Sequence, residues 1–82
     1  MDTNLEIYRK KKNIMQIIKD YKNKIEMSVL IAVLHDYMAE RLAKEYIKNM
    51  VNAGLIDYKY NNMINTVFIS VTAKGNKYMT KW

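Results

Sequence analysis

Residues 39–56, AERLAKEYIKNMVNAGLI, predict one amphipathic helix with a marked end. Apolar side chains recur at the i, i+3, i+4, i+7 spacing of one helical face: Ala39, Leu42, Ala43, Tyr46, Ile47, Met50 and Val51. The opposite face carries cations, a carboxylate and an amide: Arg41, Lys44, Glu45, Lys48 and Asn52. Gly54 offers the left-handed backbone position at which helices commonly end. We therefore expect a helix that packs its apolar side on the domain and turns its polar side outward.

The segment before this helix, SVLIAVLHDYM at residues 28–38, predicts a second helix followed by a turn. Ser28 has a suitable side chain for the N-cap. The apolar run at 29–34 would also suit a buried strand. We prefer a helix because, with residues 36–38 as the turn and Met38 filling the angle, the two helices form a helix-turn-helix.

The N-terminal segment predicts a long first helix that runs to about residue 22. Thr3 and Glu6 have the spacing of a capping box. The cations at 9–12 surround one turn and cannot all be buried, so the end carrying Leu5 and Tyr8 would project beyond the core. We expect a dimer contact there; the alternative is a frayed, solvated terminal turn.

Alternation of apolar and polar residues predicts two antiparallel strands after Gly54. The first strand alternates Ile56, Tyr58 and Tyr60 with Asp57 and Lys59, and the second alternates Val67, Ile69 and Val71 with Phe68 and Ser70. Residues 61–65 are rich in asparagine and would form the turn, since asparagine tolerates positive φ angles. Upstream, a polar break at 22–24 precedes a possible short strand at 25–27.

The last segment predicts a short helix that begins after Thr72 as N-cap and carries Tyr78, Met79 and Trp82 inward. Helices and strands then follow the order α-α-α-β-β-α. The sequence therefore predicts an α+β, mainly α, fold in a single domain, residues 1–82, with an extended N-terminal helix.

The positive charge of the chain is concentrated toward its ends. The 82 residues carry a formal net charge of +6; residues 1–8 contribute −2, residues 9–24 contribute +6, residues 25–56 contribute −1 and residues 57–82 contribute +3. Such a field favours a polyanionic partner, either nucleic acid or an anionic membrane face. Lysines that only keep a small protein soluble would give the same composition.

The composition also limits the class of protein. The chain has no cysteine, its single histidine is His35, and its two glycines are isolated. These residues form no metal site, nucleophile–base pair or phosphate loop, so we expect no enzyme activity, no cofactor and no small-molecule ligand. A signal peptide is not evident and the longest apolar run is too short for a membrane span, so we expect a cytoplasmic protein without a membrane partner. A domain this small buries only about 60–65% of its extended-chain surface, which favours a homodimer.

The run AKEYIKNMVNAGLIDYKY, followed after the turn by VFISVTAKGNKYM, resembles the winged helix-turn-helix family. In that family a recognition helix ends in a Gly-Leu-Ile step into a wing hairpin, and a Thr-x-x-Gly helix start often follows, as Thr72 and Gly75 do here. The resemblance covers the chain from about Ile14 onward. The abundance of Lys, Ile, Asn and Tyr is also similar to that of small dimeric winged-helix proteins of archaeal viruses and plasmids.

The resemblance implies a transcriptional regulator that binds duplex DNA sequence-specifically, with the third helix in the major groove and the wing over the backbone or minor groove. It implies DNA contacts at Ser28, Tyr37, Arg41, Lys44, Glu45, Lys48, Lys59, Asn61 and Asn62, with Asn65 also in the wing. We expect a homodimer on a pseudo-palindromic site, joined through Leu5, Tyr8 and Met15 and aided by Met79 and Trp82.

Two features favour other functions. Met63 and Ile64 occupy the wing tip, where DNA-binding wings usually hold a basic residue, and they would suit a protein-interaction module. On the third helix, each carboxylate lies four residues from a cation (Glu40 with Lys44, Arg41 with Glu45), as on a solvated face tied by ion pairs worth about 0.2–0.5 kcal/mol. A non-specific architectural DNA binder is the third alternative.

Overall fold

The computed structural model describes residues 4–80. Over this range the chain forms four helices and a three-stranded sheet: α1 Asn4–Asp20, β1 Ile25–Glu26, α2 Met27–Leu34, α3 Glu40–Asn52, β2 Ile56–Asn61, β3 Thr66–Val71 and α4 Ala73–Met79. The predicted α+β, mainly helical class and the order of the elements are confirmed. The apolar run at 29–34 lies in α2, so the helical interpretation is correct. Thr3 of the predicted capping box and Trp82 lie outside the described residues.

The sheet is antiparallel with strand order β1-β3-β2. Opposite residues on its inner face are Ile56 with Val71, Tyr58 with Ile69 and Tyr60 with Val67, as the alternation of the sequence predicts. The short β1 pairs with β3 only at Ile25 with Ile69 and Glu26 with Phe68. Beyond Phe68 the β2–β3 hairpin continues without a third strand, so its tip projects from the sheet.

The hydrophobic core lies between the inner face of the sheet and the three longer helices. Its largest fully buried side chains are Ile14, Met15, Ile18, Leu30, Leu34, Ile47, Met50, Ile56 and Ile69. Burying a side chain of this size stabilises a fold by about 1.5–3 kcal/mol. Every helix except α4 contributes at least two of them, so α1, α2 and α3 are fixed relative to one another and to the sheet.

The end of α3 is set by Gly54, whose φ is +78°. The Gly54 amide donates to the Val51 carbonyl at 3.0 Å, and the Leu55 amide donates to the Met50 carbonyl at 2.9 Å. This pair of bonds is a Schellman motif, and Leu55 packs into the core beside Met50. The predicted end of the helix is confirmed, and the chain passes from α3 into β2 within three residues.

The start of α2 differs from the sequence prediction. Glu26, not Ser28, occupies the N-cap position, and its side chain makes no capping hydrogen bond. The reason is that β1 runs directly into α2, so the helix begins where the pairing of Glu26 with Phe68 ends. Ser28 is therefore an exposed residue of the first helical turn. At the other end of α2, Met38 is partly buried against the core, as expected for a residue filling the turn.

The link between α1 and β1 is held by Asn23, which adopts a φ of +58°. Its side-chain amide donates to the Val71 carbonyl at 3.2 Å and accepts from the Val71 amide at 2.7 Å. These two bonds extend the β1–β3 ladder by one more position through a side chain. The polar break predicted at 22–24 is thus a structural lock for β3.

The last helix covers the first one, which corrects part of the predicted dimer interface. Tyr8 is only 4% exposed and Met79 9%, and the Tyr8 hydroxyl donates to the Met79 carbonyl at 3.2 Å. Met15 is fully buried in the chain's own core. These three side chains are used within the protomer and offer no surface to a second copy. Leu5, at 38%, remains exposed.

Candidate nucleic-acid interface

The outward face of α3 is a polar helical surface next to the hairpin. Arg41, Lys44, Glu45, Lys48 and Asn52 are all exposed, while the opposite side of α3 buries Ala43, Tyr46, Ile47 and Met50. The predicted polar face is therefore present, and so is most of the predicted apolar face. Val51 is half-buried, whereas Ala39 and Leu42, also predicted on the apolar face, are exposed. Because α2 and the sheet pack behind α3, the helix presents its cations from a rigid support.

Of the two ion pairs predicted on α3, one is formed. Lys44 Nζ lies 3.4 Å from Glu40 Oε2, with both side chains more than half exposed. Such a surface pair contributes about 0–1 kcal/mol and is readily exchanged for another partner. No ion pair joins Arg41 to Glu45 within residues 4–80. The Arg41 guanidinium therefore keeps its fork of donors available to an external acceptor.

A groove of about 260 Å³ separates α3 from the hairpin. Its apolar floor is formed by Met27, Ile47, Val51 and Tyr58, and its rim by Lys44, Lys48 and Asn52. Met27 and Tyr58 are not among the residues predicted from the sequence to form this surface. The alternation of β2 was the available signal, because it placed Tyr58 on the inner face toward α3. Three elements thus converge on one groove with cations along its edge.

Two predicted contact residues, Ser28 and Tyr37, do not line this groove. Ser28 is in the first turn of α2 and Tyr37 follows its end, so they are separated by the length of an eight-residue helix, about 12 Å. Tyr37 is 72% exposed and lines a different cleft, of about 450 Å³, beside Lys10 and Asn13 of α1. The structure does not bring Ser28 and Tyr37 into one cluster.

The predicted wing residues also divide between two surfaces. Lys59 lies opposite Phe68, and the strand alternation turns it away from the face of Tyr58 that lines the groove. Its ammonium group therefore does not join the cations of α3. Asn61, Asn62 and Asn65 are exposed at the projecting end of the hairpin.

The tip of the hairpin is apolar and ordered by its asparagines. Met63 is 94% exposed and Ile64 58%. The Met63 amide donates to Asn61 Oδ1 at 3.0 Å, and Tyr60 and Asn65 are joined by a side-chain hydrogen bond. Asn65 has a φ of +50°, which agrees with the predicted use of asparagine in this turn.

Several lysines of the basic segment at residues 9–24 also make contacts within the fold. Lys19 donates to Asn76 Oδ1 at 2.9 Å and so ties α1 to α4. Lys12 Nζ lies 5.9 Å from the centroid of the Tyr8 ring, and Lys24 Nζ lies 4.7 Å from that of Phe68. These cation–π contacts leave the ammonium charge in place, so the segment remains electropositive.

Residues 4–80 contain neither a candidate metal site nor a candidate membrane-spanning helix. Within that range, no group of three or more histidine, cysteine or carboxylate side chains is close enough to hold a metal ion. No helix there has the length and apolar character needed to span a membrane. Comparison with protein-family models, with curated proteins and with solved structures finds no match to this chain.

Proposed function

We propose that this chain is a winged helix-turn-helix protein that binds duplex DNA sequence-specifically and acts as a transcriptional regulator. One observation carries the proposal: the exposed cationic face of α3 is backed by α2 and is followed within three residues by a projecting β-hairpin. In this assignment α3 is the recognition helix and β2–β3 is the wing. The formal net charge of +6 supplies the attraction to phosphate that such binding requires.

The geometry of α3 supports insertion into the major groove. A helix with its side chains is about 10–12 Å across, and the major groove is about 12 Å wide. Arg41 would bind the O6 and N7 atoms of a guanine with its two-pronged fork, and Glu45 would accept from a cytosine amino group. Lys44 and Lys48 would bind phosphates at the edge of the major groove. Such contacts fix the position of the helix on the DNA but do not depend on the base sequence.

The proposal includes a homodimer on a pseudo-palindromic site. A domain of 82 residues gains stability and doubles its DNA contact area by pairing, and two-fold symmetry in the protein would match two half-sites. With Tyr8, Met15 and Met79 buried, Leu5 is the exposed apolar residue of the predicted contact set that the structure describes.

The experiment is a binding-site selection from random duplexes, followed by titration of the selected and a scrambled duplex. Arg41→Ala is expected to lose about tenfold to a hundredfold of the preference for the selected duplex, the range for one bidentate base contact. The control is Arg9→Ala, an exposed cation of α1, which should weaken binding to both duplexes alike. If Arg41→Ala keeps its full preference, the recognition assignment is wrong, and a wild-type chain that binds no duplex even at low salt rules out DNA binding altogether.

The second candidate is a protein-interaction module, favoured by the exposure of Met63 and Ile64 at the tip. An apolar tip of two side chains is small for a protein interface, which usually buries about 800 Å² on each partner. Absence of duplex binding at low salt, together with loss of a protein partner in Met63→Asp, would favour this candidate. Equal binding of all duplexes by the wild type would instead favour a non-specific architectural protein.

A further inference from the structure

The wing tip, residues 61–65, has three properties that play no part in the DNA contacts proposed for α3. It is the most exposed apolar part of residues 4–80, since Met63 is 94% and Ile64 58% exposed. It carries no negative charge that would repel phosphate, because the sequence from Tyr58 to Thr80 contains no carboxylate side chain. It is also internally hydrogen-bonded, so its shape exists before anything binds.

The hydrogen bonds of the tip orient its asparagines. Asn61 Oδ1 accepts from the Met63 amide, and Asn65 Oδ1 is bound by the Tyr60 hydroxyl. With their oxygen atoms engaged inside the tip, these two exposed side chains keep their NH₂ groups as donors for an external acceptor. The minor groove of A·T pairs offers only acceptors, adenine N3 and thymine O2, whereas G·C pairs add an opposing amino group.

The length of the hairpin suits the same groove. Pairing with β1 ends at Phe68, and the hairpin continues through Val67 and Thr66 to the turn at 62–65. At about 3.3 Å per residue this projection is roughly 10 Å, which brings the tip to the mouth of the groove while the rest of the sheet stays clear of the duplex. Two strands about 4.8 Å apart, with their own atomic width, exceed the groove width of about 6 Å, so side chains enter while the backbones stay at the mouth.

We propose that the wing tip is an apolar wedge for the minor groove: Met63 and Ile64 enter between two base pairs, partly unstack them and kink the duplex, while Asn61 and Asn65 hold the flanking A·T pairs. This inference rests on the proposed duplex-DNA binding and names how the wing takes part in it. Apolar wedges beside amide side chains are one physical solution for minor-groove binding. The favoured site is a pyrimidine–purine step such as TA, because it unstacks at the lowest energy.

The wedge also accounts for a tip without a basic residue. A cation would bind the phosphates at the groove mouth, whereas a methionine gains by leaving water for the stacked bases. Methionine is unbranched and flexible, so it adapts to the gap that opens at a kinked step. Ile64 adds a stiffer side chain next to it.

The test uses the full chain and a selected duplex with a TA step under the wing. Donor and acceptor dyes at the duplex ends report the kink, and 2-aminopurine at the step reports unstacking. The wild type is expected to shorten the dye separation and to raise 2-aminopurine fluorescence at least twofold. The double variant Met63→Ala, Ile64→Ala is expected to bind the duplex within about tenfold of the wild type, through α3, without either signal. Tyr21→Ala, which removes an exposed ring from the end of α1, is the matched control and should change neither.

A second pair of duplexes tests the groove. Replacing the flanking A·T pairs by I·C keeps the minor-groove pattern of A·T, whereas replacing them by G·C adds the amino group. Binding should survive the I·C change and fall by about tenfold with G·C. If the alanine variant binds too weakly to measure, Met63→Leu, Ile64→Leu keeps the apolar volume and should bind and kink.

The outcomes separate the two proposals. A wild type that binds the selected duplex without a kink, an alanine variant that kinks it equally, or a leucine variant that does not kink it would overturn the wedge and leave DNA binding intact. A wild type that binds no duplex at low salt would overturn both. Loss of a protein partner in Met63→Asp, with unchanged duplex bending, would assign the tip to protein contacts and also reject the wedge.

Discussion

The hydroxyl of Tyr8 donates a 3.2 Å hydrogen bond to the backbone carbonyl of Met79, which joins the first helix to the last. The Tyr8 ring also lies 5.0 Å, centroid to centroid, from the ring of Tyr78, tilted by 39°. Both contacts are made by the N-terminal half of α1, which carries the four cations at residues 9–12. This basic part of α1 is therefore anchored to α4 of the same chain.

The Tyr8 hydrogen bond is expected to contribute about 1 kcal/mol to the free energy of unfolding. Tyr8→Phe removes the hydroxyl, leaves the ring in place and deprives the Met79 carbonyl of its donor. Urea denaturation should detect the loss, while Tyr21→Phe, at an exposed position, should stay within about 0.5 kcal/mol of the wild type. Equal stability of Tyr8→Phe and the wild type would contradict the role of this bond.

The contact between the two rings also predicts a loss of stability at high pH. Burial raises the pKa of Tyr78 above its ordinary value of 10.0, and the neighbouring Tyr8 adds to the rise. As the pH passes 10, the unfolded chain releases the proton first, so the folded state holds more protons and stability falls with further increase in pH. Tyr78→Phe should show a smaller drop in melting temperature between pH 9 and 11 than the wild type. An identical drop in both would mean that Tyr78 does not contribute.

The parts of the fold that could be predicted are those whose cause lies in local sequence. The end of α3 follows from one residue, Gly54, that adopts a left-handed conformation readily. The register of the hairpin follows from alternation, because shifting it by one residue would expose Ile56 and Ile69. On α3, the separation of Arg41 from the buried Ile47 follows from helical periodicity alone.

The parts that could not be predicted depend on residues far apart in the chain. Asn23 looks like a loop residue until Val71 is brought beside it, 48 positions later. Tyr8 looks like part of a projecting end until α4 is packed over it. In both cases the partner is chosen by tertiary packing, which local spacing does not encode. The same holds for the groove beside Tyr58, which exists only once α2, α3 and β2 converge.

Asn23 is expected to be one of the most sensitive polar positions. Asn23→Ala removes two hydrogen bonds to Val71 and places alanine at a φ of +58°, so the loss in unfolding free energy should be about 2–3 kcal/mol. Asn23→Gly keeps the favourable φ and should lose about half as much. Lys22, at a φ of +61° without such bonds to β3, provides the control: Lys22→Gly should be neutral or stabilising by about 0.5 kcal/mol. If thermal denaturation shows no greater loss of stability for Asn23→Ala than for Lys22→Gly, the two hydrogen bonds to Val71 do not stabilise the fold as predicted.

The two glycines are expected to differ for a steric reason. A Cβ at Gly75 would overlap the Leu55 carbonyl oxygen and lie 2.8 Å from Val71 Cγ1, because α4 packs directly on the link between α3 and β2 and on the end of β3. Gly75→Ala should therefore cost about 3 kcal/mol or more of unfolding free energy. At Gly54 the nearest atom is 3.6 Å away, so Gly54→Ala meets only the strain of a positive φ, about 1–2 kcal/mol. Chemical denaturation of both variants checks the order, and a larger loss at Gly54 would contradict it.

The ion pair between Lys44 and Glu40 is expected to oppose the proposed DNA binding while it supports the helix. Glu40 lies in the first turn of α3, where a carboxylate favours the helix by about 0.3–1 kcal/mol, and it holds Lys44 Nζ at 3.4 Å. Glu40→Gln should therefore lower the melting temperature slightly and raise the affinity for duplex DNA by about threefold to tenfold at low salt, because one repulsive charge is lost and Lys44 is released for phosphate. The control is Asp57→Asn, which removes a carboxylate on β2, opposite Ser70 on the outer face of the sheet, and should change affinity much less. Fluorescence anisotropy titrations at two salt concentrations measure both. If the two variants gain equally, only the total charge of the protein matters, and Lys44 has no contact with the duplex.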